Sequence, residues 1–214
     1  MTLKEQALSL YKEVFSEDTE EFAESFTNRY FDKCCRYKLV DGKIVSMLYL
    51  LDCAVFDGEK TSAAKYLYAA ATHPDFRGQG LMAELINEAL LEQEIIVTKP
   101  ANKSLFSYYE KFGFKVCSFK DEIKKEFSGK EEININQYVS LRKELLKDTP
   151  HILLLDDEFT LDGFTLYGND NYCAAVDRDT GEVKEYINEK NREDKTPFAM
   201  ATIQNNFYFG IAMD

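Results

Sequence analysis

The chain has 214 residues, 45% of them hydrophobic and 14% aromatic, which is ample for a packed interior and excludes a disordered chain. Its formal net charge is −12, and residues 121–214 carry most of it, with 20 acidic against 11 basic side chains. Such a surface repels phosphate backbones and anionic lipid, so nucleic acid and membrane are poor partners, whereas a cationic small molecule or a basic peptide is welcome.

The length fits one domain with an appendage or two small lobes. Five cysteines (Cys34, Cys35, Cys53, Cys117, Cys173) form no CxxC pair, and with two histidines (His73, His151) they show no metal-ligand spacing. They read as reduced, mostly buried thiols, so no metal is expected and the cytoplasm is the expected setting. The opening MTLKEQALSLYKEVF interleaves charge with apolar residues, unlike a signal peptide, and no apolar run approaches the roughly 20 residues of a membrane span.

In chain order, Leu3, Ala7, Leu10, Tyr11, Val14 and Phe15 recur at helical spacing, and Phe22, Phe26 and Tyr30 repeat it after SEDTEE. Asp18 followed by Glu21 reads as the capping box of that second helix. CCRYKLVDGKIVSMLYLLDCAVF is β-rich on either side of Asp41-Gly42, a hairpin dipeptide. After a loop at DGEKTS, AAKYLYAAATHP reads as a strand that stops at Pro74. Gly80 to Glu94 places Leu81, Met82, Leu85, Ile86, Ala89 and Leu90 on one helical face. Ile95 to Thr98 is a short buried strand, Asn102 to Phe112 a helix closed by Gly113, and Phe114 to Phe119 resumes β. The order is α-α-β-β-β-α-β-α-β, an α/β chain.

The central strand–turn–helix carries Arg77-Gly78-Gln79-Gly80. A glycine-bearing turn that opens a helix leaves backbone N–H groups free to face an anion, and ligands of open α/β sheets sit at the carboxyl ends of strands. The turn is no Walker loop, because no Gly-Lys-Ser/Thr follows, and no dinucleotide fingerprint, because Ala83 stands at the last glycine's place. On spacing alone, a loop with two flexible residues remains an alternative.

HPDFRGQGLMAELINEAL resembles the acetyl-CoA signature of the GNAT superfamily of N-acetyltransferases, Arg/Gln-x-x-Gly-x-Gly/Ala, with Arg77, Gly80 and Met82 at the marked positions. ANKSLFSYYEKFGF resembles the second signature of the same superfamily, and together the resemblance covers roughly residues 1–120. It implies the GNAT-type acyl-CoA N-acyltransferase fold, a mixed, splayed central sheet flanked by helices. It also implies acetyl-CoA as co-substrate, with backbone groups of Ala70, Ala71 and Thr72 holding the pantetheine arm and the thioester carbonyl. The N–H groups of Arg77, Gly78, Gln79, Gly80, Leu81 and Met82 would hold the pyrophosphate.

Met82 departs from the pattern, which asks for Gly or Ala, and either crowds the pyrophosphate or points into the sheet. An apolar residue there is similar to the enhanced intracellular survival type of acetyltransferase, in which a further lobe follows. By the same resemblance Tyr109 would protonate the departing CoA thiolate, although its helical register alone fits a core tyrosine, with Tyr108 as its neighbour round the helix. Asn102 would bond the cofactor or cap the helix. The general base is open: Asp52, Glu94 and a tail carboxylate are candidates, Asp214 at the last position among them, and His73 reads as a turn residue.

The remaining residues, 121–214, read as a small C-terminal α+β lobe. Tyr138, Leu141 and Leu145 share a helical face, and HILLLDDEF, FTLYG, YCAAVDRDTGEVKEYI and FYFGIAM read as strands. In outline this resembles a degenerate half-repeat, as in the N-myristoyltransferases, and with no second Arg-x-x-Gly-x-Gly it should bind no second CoA. Its duty would be to wall the acceptor site or to form a homodimer face. The expected activity is transfer of acetyl to a primary amine by direct attack in a ternary complex. The alternative is a non-catalytic acyl-CoA-binding sensor, and transfer of a longer acyl chain is a third reading.

Overall fold

The structure is a computed structural model describing residues 1–127, 130–188 and 194–213. Two helices open the chain, α1 (Leu3–Val14) and α2 (Glu20–Cys34). Thr2 and Glu5 close a capping box on α1. At α2 the cap is Thr19, which accepts from the Phe22 N–H at 3.2 Å, and not the expected Asp18. Asp18 is instead the acceptor for the Tyr11 hydroxyl at 2.6 Å, so it faces α1 rather than the start of α2.

Strands β1 (Cys35–Val40) and β2 (Lys43–Phe56) form the expected hairpin, with positive φ at both Asp41 and Gly42. Then follow β3 (Thr61–Thr72), α3 (Leu81–Glu92), β4 (Ile96–Thr98), α4 (Lys103–Glu110) and β5 (Lys115–Phe119). Beyond them lie α5 (Ile135–Leu145), β6 (His151–Leu154), α6 (Asp157–Thr160), β7 (Phe164–Asn169), β8 (Tyr172–Asp177), β9 (Val183–Asn188) and β10 (Pro197–Ala201).

The strands form a mixed seven-stranded sheet, ordered β1-β2-β3-β4-β10-β5 with β6 added on β2, and a separate antiparallel sheet β7-β8-β9. β2 is apolar on both faces because both are covered. Met47, Tyr49 and Leu51 pack with α1 and α2, while Leu48 and Leu50 pack with Leu85 and Ile86 of α3 and Tyr109 of α4. The mixed sheet between helical layers and the extra small sheet are the fold expected of the sequence.

Two pieces beyond residue 120 join the large sheet: β6 pairs antiparallel with β2, and β10 lies between β4 and β5, antiparallel to both. FYFGIAM, expected as a strand, makes only an isolated bridge, between Tyr208 and His151. Its Gly210 lies so close to Glu185 that an added Cβ would fall 1.8 Å from the carboxylate oxygen. The segment is held without a ladder, by backbone bonds from the Phe207 N–H to the Cys117 carbonyl at 2.7 Å and from the Tyr208 N–H to the Pro150 carbonyl at 2.8 Å, and by its side chains. β10 itself, PFAMA, went unread in the sequence.

The small sheet packs under α5 around a buried ion pair. Glu185 is fully buried and accepts from Arg142 Nη2 at 3.1 Å, from the Tyr138 hydroxyl, and from the Tyr208 hydroxyl at 3.2 Å, while Arg142 Nε stands 2.9 Å from its other oxygen as an ion pair. All five cysteines are free and buried.

Candidate active site

β3 and β4 run parallel over only Lys65–Ile96, Tyr66–Val97 and Leu67–Thr98. Beyond Leu67, β3 continues to Thr72 without β4 beside it, so the two strands part. The cause lies on β3's other edge. Between Met47 and Tyr49 the register with β2 slips, two residues of β3 opposing one of β2, and Ala69 at that bulge has φ 47°. A bulge bends its strand and strengthens its twist, which carries β3 away from β4. The run Ala69-Ala70-Ala71 puts no long side chain into the opening.

At the apex, the Thr98 hydroxyl donates to the Leu67 carbonyl at 3.1 Å and is also hydrogen-bonded to the Tyr109 hydroxyl. Tyr109 is 5% exposed, ringed by Tyr108 and Phe114, and burial pushes its phenol up to about 12. It is therefore both a core tyrosine and one whose hydroxyl reaches the end of the strand pairing. Tyr108, less buried, stacks edge-on with Phe112.

The glycine turn follows β3 directly. Gly78 and Gly80 hold φ of 77° and 85°, a region that side chains rarely enter. Arg77 Nε donates to the Thr72 carbonyl at 3.1 Å, which ties the turn to the end of β3. Helices α1, α2, α4, α5 and α6 are each capped by a side chain, whereas α3 begins at Gly80 with none. Its first N–H groups, those of Gly80, Leu81, Met82 and Ala83, have no partner one turn back, so this end can take an anion. Met82 packs against the Leu85, Ile86 and Tyr109 cluster, which directs its side chain to the sheet.

The other expected residues divide. Asn102 caps α4, accepting from the Ser104 N–H at 3.1 Å. His73 caps the short turn Pro74–Phe76 and lies 3.5 Å from Glu13. Asp52 pairs with Lys65 at 2.5 Å, beside the first β3–β4 rung and away from the parting, and Glu94 precedes β4 at that same end. Asp214 lies outside the described residues. What sequence reading missed is Ala69, Thr98 and Tyr68, whose places depend on pairing between distant strands.

Residues 2–117 match the family model described as the acetyltransferase (GNAT) domain. The chain belongs to the GNAT acetyltransferase family. No curated protein matches the sequence. A GCN5-related N-acetyltransferase from Kribbella flavida is similar at TM-score 0.65 and 12% identity, over 88% of this chain and 56% of its own. Eis1 from Mycobacterium abscessus is similar at TM-score 0.59 and 9% identity, over 87% and 56%. A protein of Pyrococcus horikoshii is similar at TM-score 0.58 and 15% identity, over 97% and 90%. At these identities the likeness is one of fold, and this chain spans about half the length of the first two proteins.

GNAT acetyltransferases use acetyl-CoA as co-substrate, and the parted strands, the glycine turn and the uncapped helix are of the right kind for it. Among the described residues no group of three or more His, Cys, Asp or Glu could hold a metal ion, and no helix is long and apolar enough to cross a membrane.

Proposed function

We propose that this GNAT protein transfers the acetyl group of acetyl-CoA to a primary amine of a small cationic molecule or a basic peptide, by direct attack in a ternary complex. The observation that carries the reading is the parting of β3 and β4 at Leu67–Thr98, which opens straight onto the glycine turn. The pyrophosphate would take the backbone N–H groups from Arg77 to Met82, and the pantetheine arm and thioester carbonyl would lie along Ala70, Ala71 and Thr72.

Tyr109 would serve the leaving sulfur. A phenol near 12 is a weaker acid than a thiol of about 8.5, so complete proton transfer to the thiolate is uphill. Its contribution is then a hydrogen bond that stabilises charge on sulfur as the C–S bond breaks. The cationic preference of the acceptor is supported by the acidic balance of residues 121–214, with 20 acidic against 11 basic side chains.

The test is calorimetric titration with acetyl-CoA and with CoA, followed by thiol release across polyamines, aminoglycosides and basic peptides. Binding with amine-dependent thiol release is the expected result. Tight binding without turnover on any amine would make the chain a sensor instead.

A further inference from the structure

The proposed reaction sheds one proton from the amine, and among the described residues neither Asp52 nor Glu94 stands at the apex. Another group does. Leu67 packs on the α3/α4 face with Tyr109, so the next residue, Tyr68, projects to the opposite face, where it packs with Phe26 of α2. A thioester lying between the parted strands has Tyr109 on one side and Tyr68 on the other.

From Tyr68 a chain of hydroxyls leads away from the sheet. The Tyr68 and Tyr11 hydroxyls are 3.4 Å apart, and the Tyr11 hydroxyl donates to Asp18 Oδ2 at 2.6 Å. Because the Tyr11 proton is given to Asp18, Tyr68 is the donor to Tyr11, and both bonds point the same way, from apex to carboxylate. The Tyr68–Tyr11 link is long for O–H···O, as catalytic bonds often are before substrate docks. Tyr11 is wholly buried, whereas Asp18 lines a cavity of about 380 Å³ between the α1–α2 loop and the small sheet. That cavity also presents Glu17, Asp162, Asp177 and Asp179, with Lys120 and Lys184 as its basic groups.

We propose that Tyr68, Tyr11 and Asp18 carry the amine's proton from the parting of β3 and β4 to this cavity. The inference rests on the acetyltransferase reading above. In the step, the amine nitrogen attacks the thioester carbon, the C–S bond breaks, and its electron pair leaves on sulfur. As nitrogen gives its proton to Tyr68, the Tyr68 proton passes to Tyr11 and the Tyr11 proton to Asp18, which releases it to solvent in the cavity. The products are amide, thiolate and one proton. Burial, the nearby Tyr68 and the bond to Asp18 all push the Tyr11 phenol far above its ordinary value, so it passes a proton on without resting as phenolate.

The experiment compares the full chain with Tyr11→Phe, Asp18→Asn and Tyr68→Phe, using the amine of the panel that gives fastest thiol release. Each variant removes a link while keeping the ring or the side-chain shape. Expected are a kcat at neutral pH lower by about tenfold or more, an unchanged acetyl-CoA Kd, and recovery of activity as pH rises, when hydroxide replaces the lost path. A merely structural role would move melting temperature and leave the shape of the pH profile alone. Wild-type turnover with all folded variants within twofold of it and an unaltered pH profile would overturn the inference by itself. A wild-type chain that binds no acetyl-CoA, or releases no thiol with any amine, would overturn the functional reading and this inference with it.

Discussion

The Thr98 hydroxyl donates to the Leu67 carbonyl at the last rung where β3 and β4 are paired, and the Tyr109 phenol joins the same hydroxyl from α4. One buried threonine thus ends the ladder, occupies a carbonyl that the parting would leave unmatched, and sets where a phenol points. Thr98→Val keeps the shape and removes both bonds. It should lower stability by about 1–3 kcal/mol through the unsatisfied Leu67 carbonyl, read as a loss of several degrees in thermal melting and an unchanged denaturant m-value.

Tyr109→Phe retains the packing with Phe114 and removes the hydroxyl. If the phenol steadies charge on sulfur, kcat should fall by about 10- to 100-fold while the acetyl-CoA Kd stays within about twofold. With its phenol held near 12, wild-type kcat should also show no decline from this group between neutrality and about pH 10. Calorimetry and a pH–rate profile check the two halves separately.

Gly80→Val should weaken acetyl-CoA binding by about tenfold or more. No atom lies within 4 Å of the place a Cβ would take, so the protein itself offers no clash. The harm comes from the left-handed backbone at φ 85°, which disfavours a β-branched side chain by about 1–2 kcal/mol, and from a side chain standing where the pyrophosphate would lie. Normal affinity by calorimetry would remove this turn from the phosphate site.

Glu185→Ala should be among the most destabilising single changes in the chain. It strands Arg142, only 4% exposed, without its carboxylate, a loss of about 3–5 kcal/mol by the usual cost of an unpaired buried charge. Denaturant unfolding should read that shift.

His151 gives a pH signature. Burial holds its imidazole below the ordinary 6.5, so the unfolded chain binds a proton first and this contribution to stability declines as pH falls through 6.5 toward the folded value. His151→Asn should flatten the stability profile between about pH 7 and 5.

Features written in local chemistry were readable from the sequence. The Asp41-Gly42 hairpin, the helices and the Arg77–Gly80 turn each carry residues with a conformational preference of their own. The bulge at Ala69 was not readable, because an alanine with positive φ is imposed by its register against β2, and three consecutive alanines give no sign of which one bends. Asp18 was read as a cap, since spacing cannot tell that Tyr11 claims it. PFAMA went unread and FYFGIAM was read as a strand for a similar reason: strand or not depends on which edge is free, and the edge waiting for residues 197–201 lies between β4 and β5, about a hundred positions earlier.

That last pairing also sets an order of events for the ribosome. Until β10 arrives, the facing edges of β4 and β5 stand open after the rest of their layer has been synthesised, and the intervening α5 to β9 must be accommodated beside them. A sheet closed so late has high contact order, which slows folding and prolongs the time during which two bare strand edges can pair with a neighbouring chain. For this molecule the seam between β4 and β5 is the vulnerable place during synthesis and refolding.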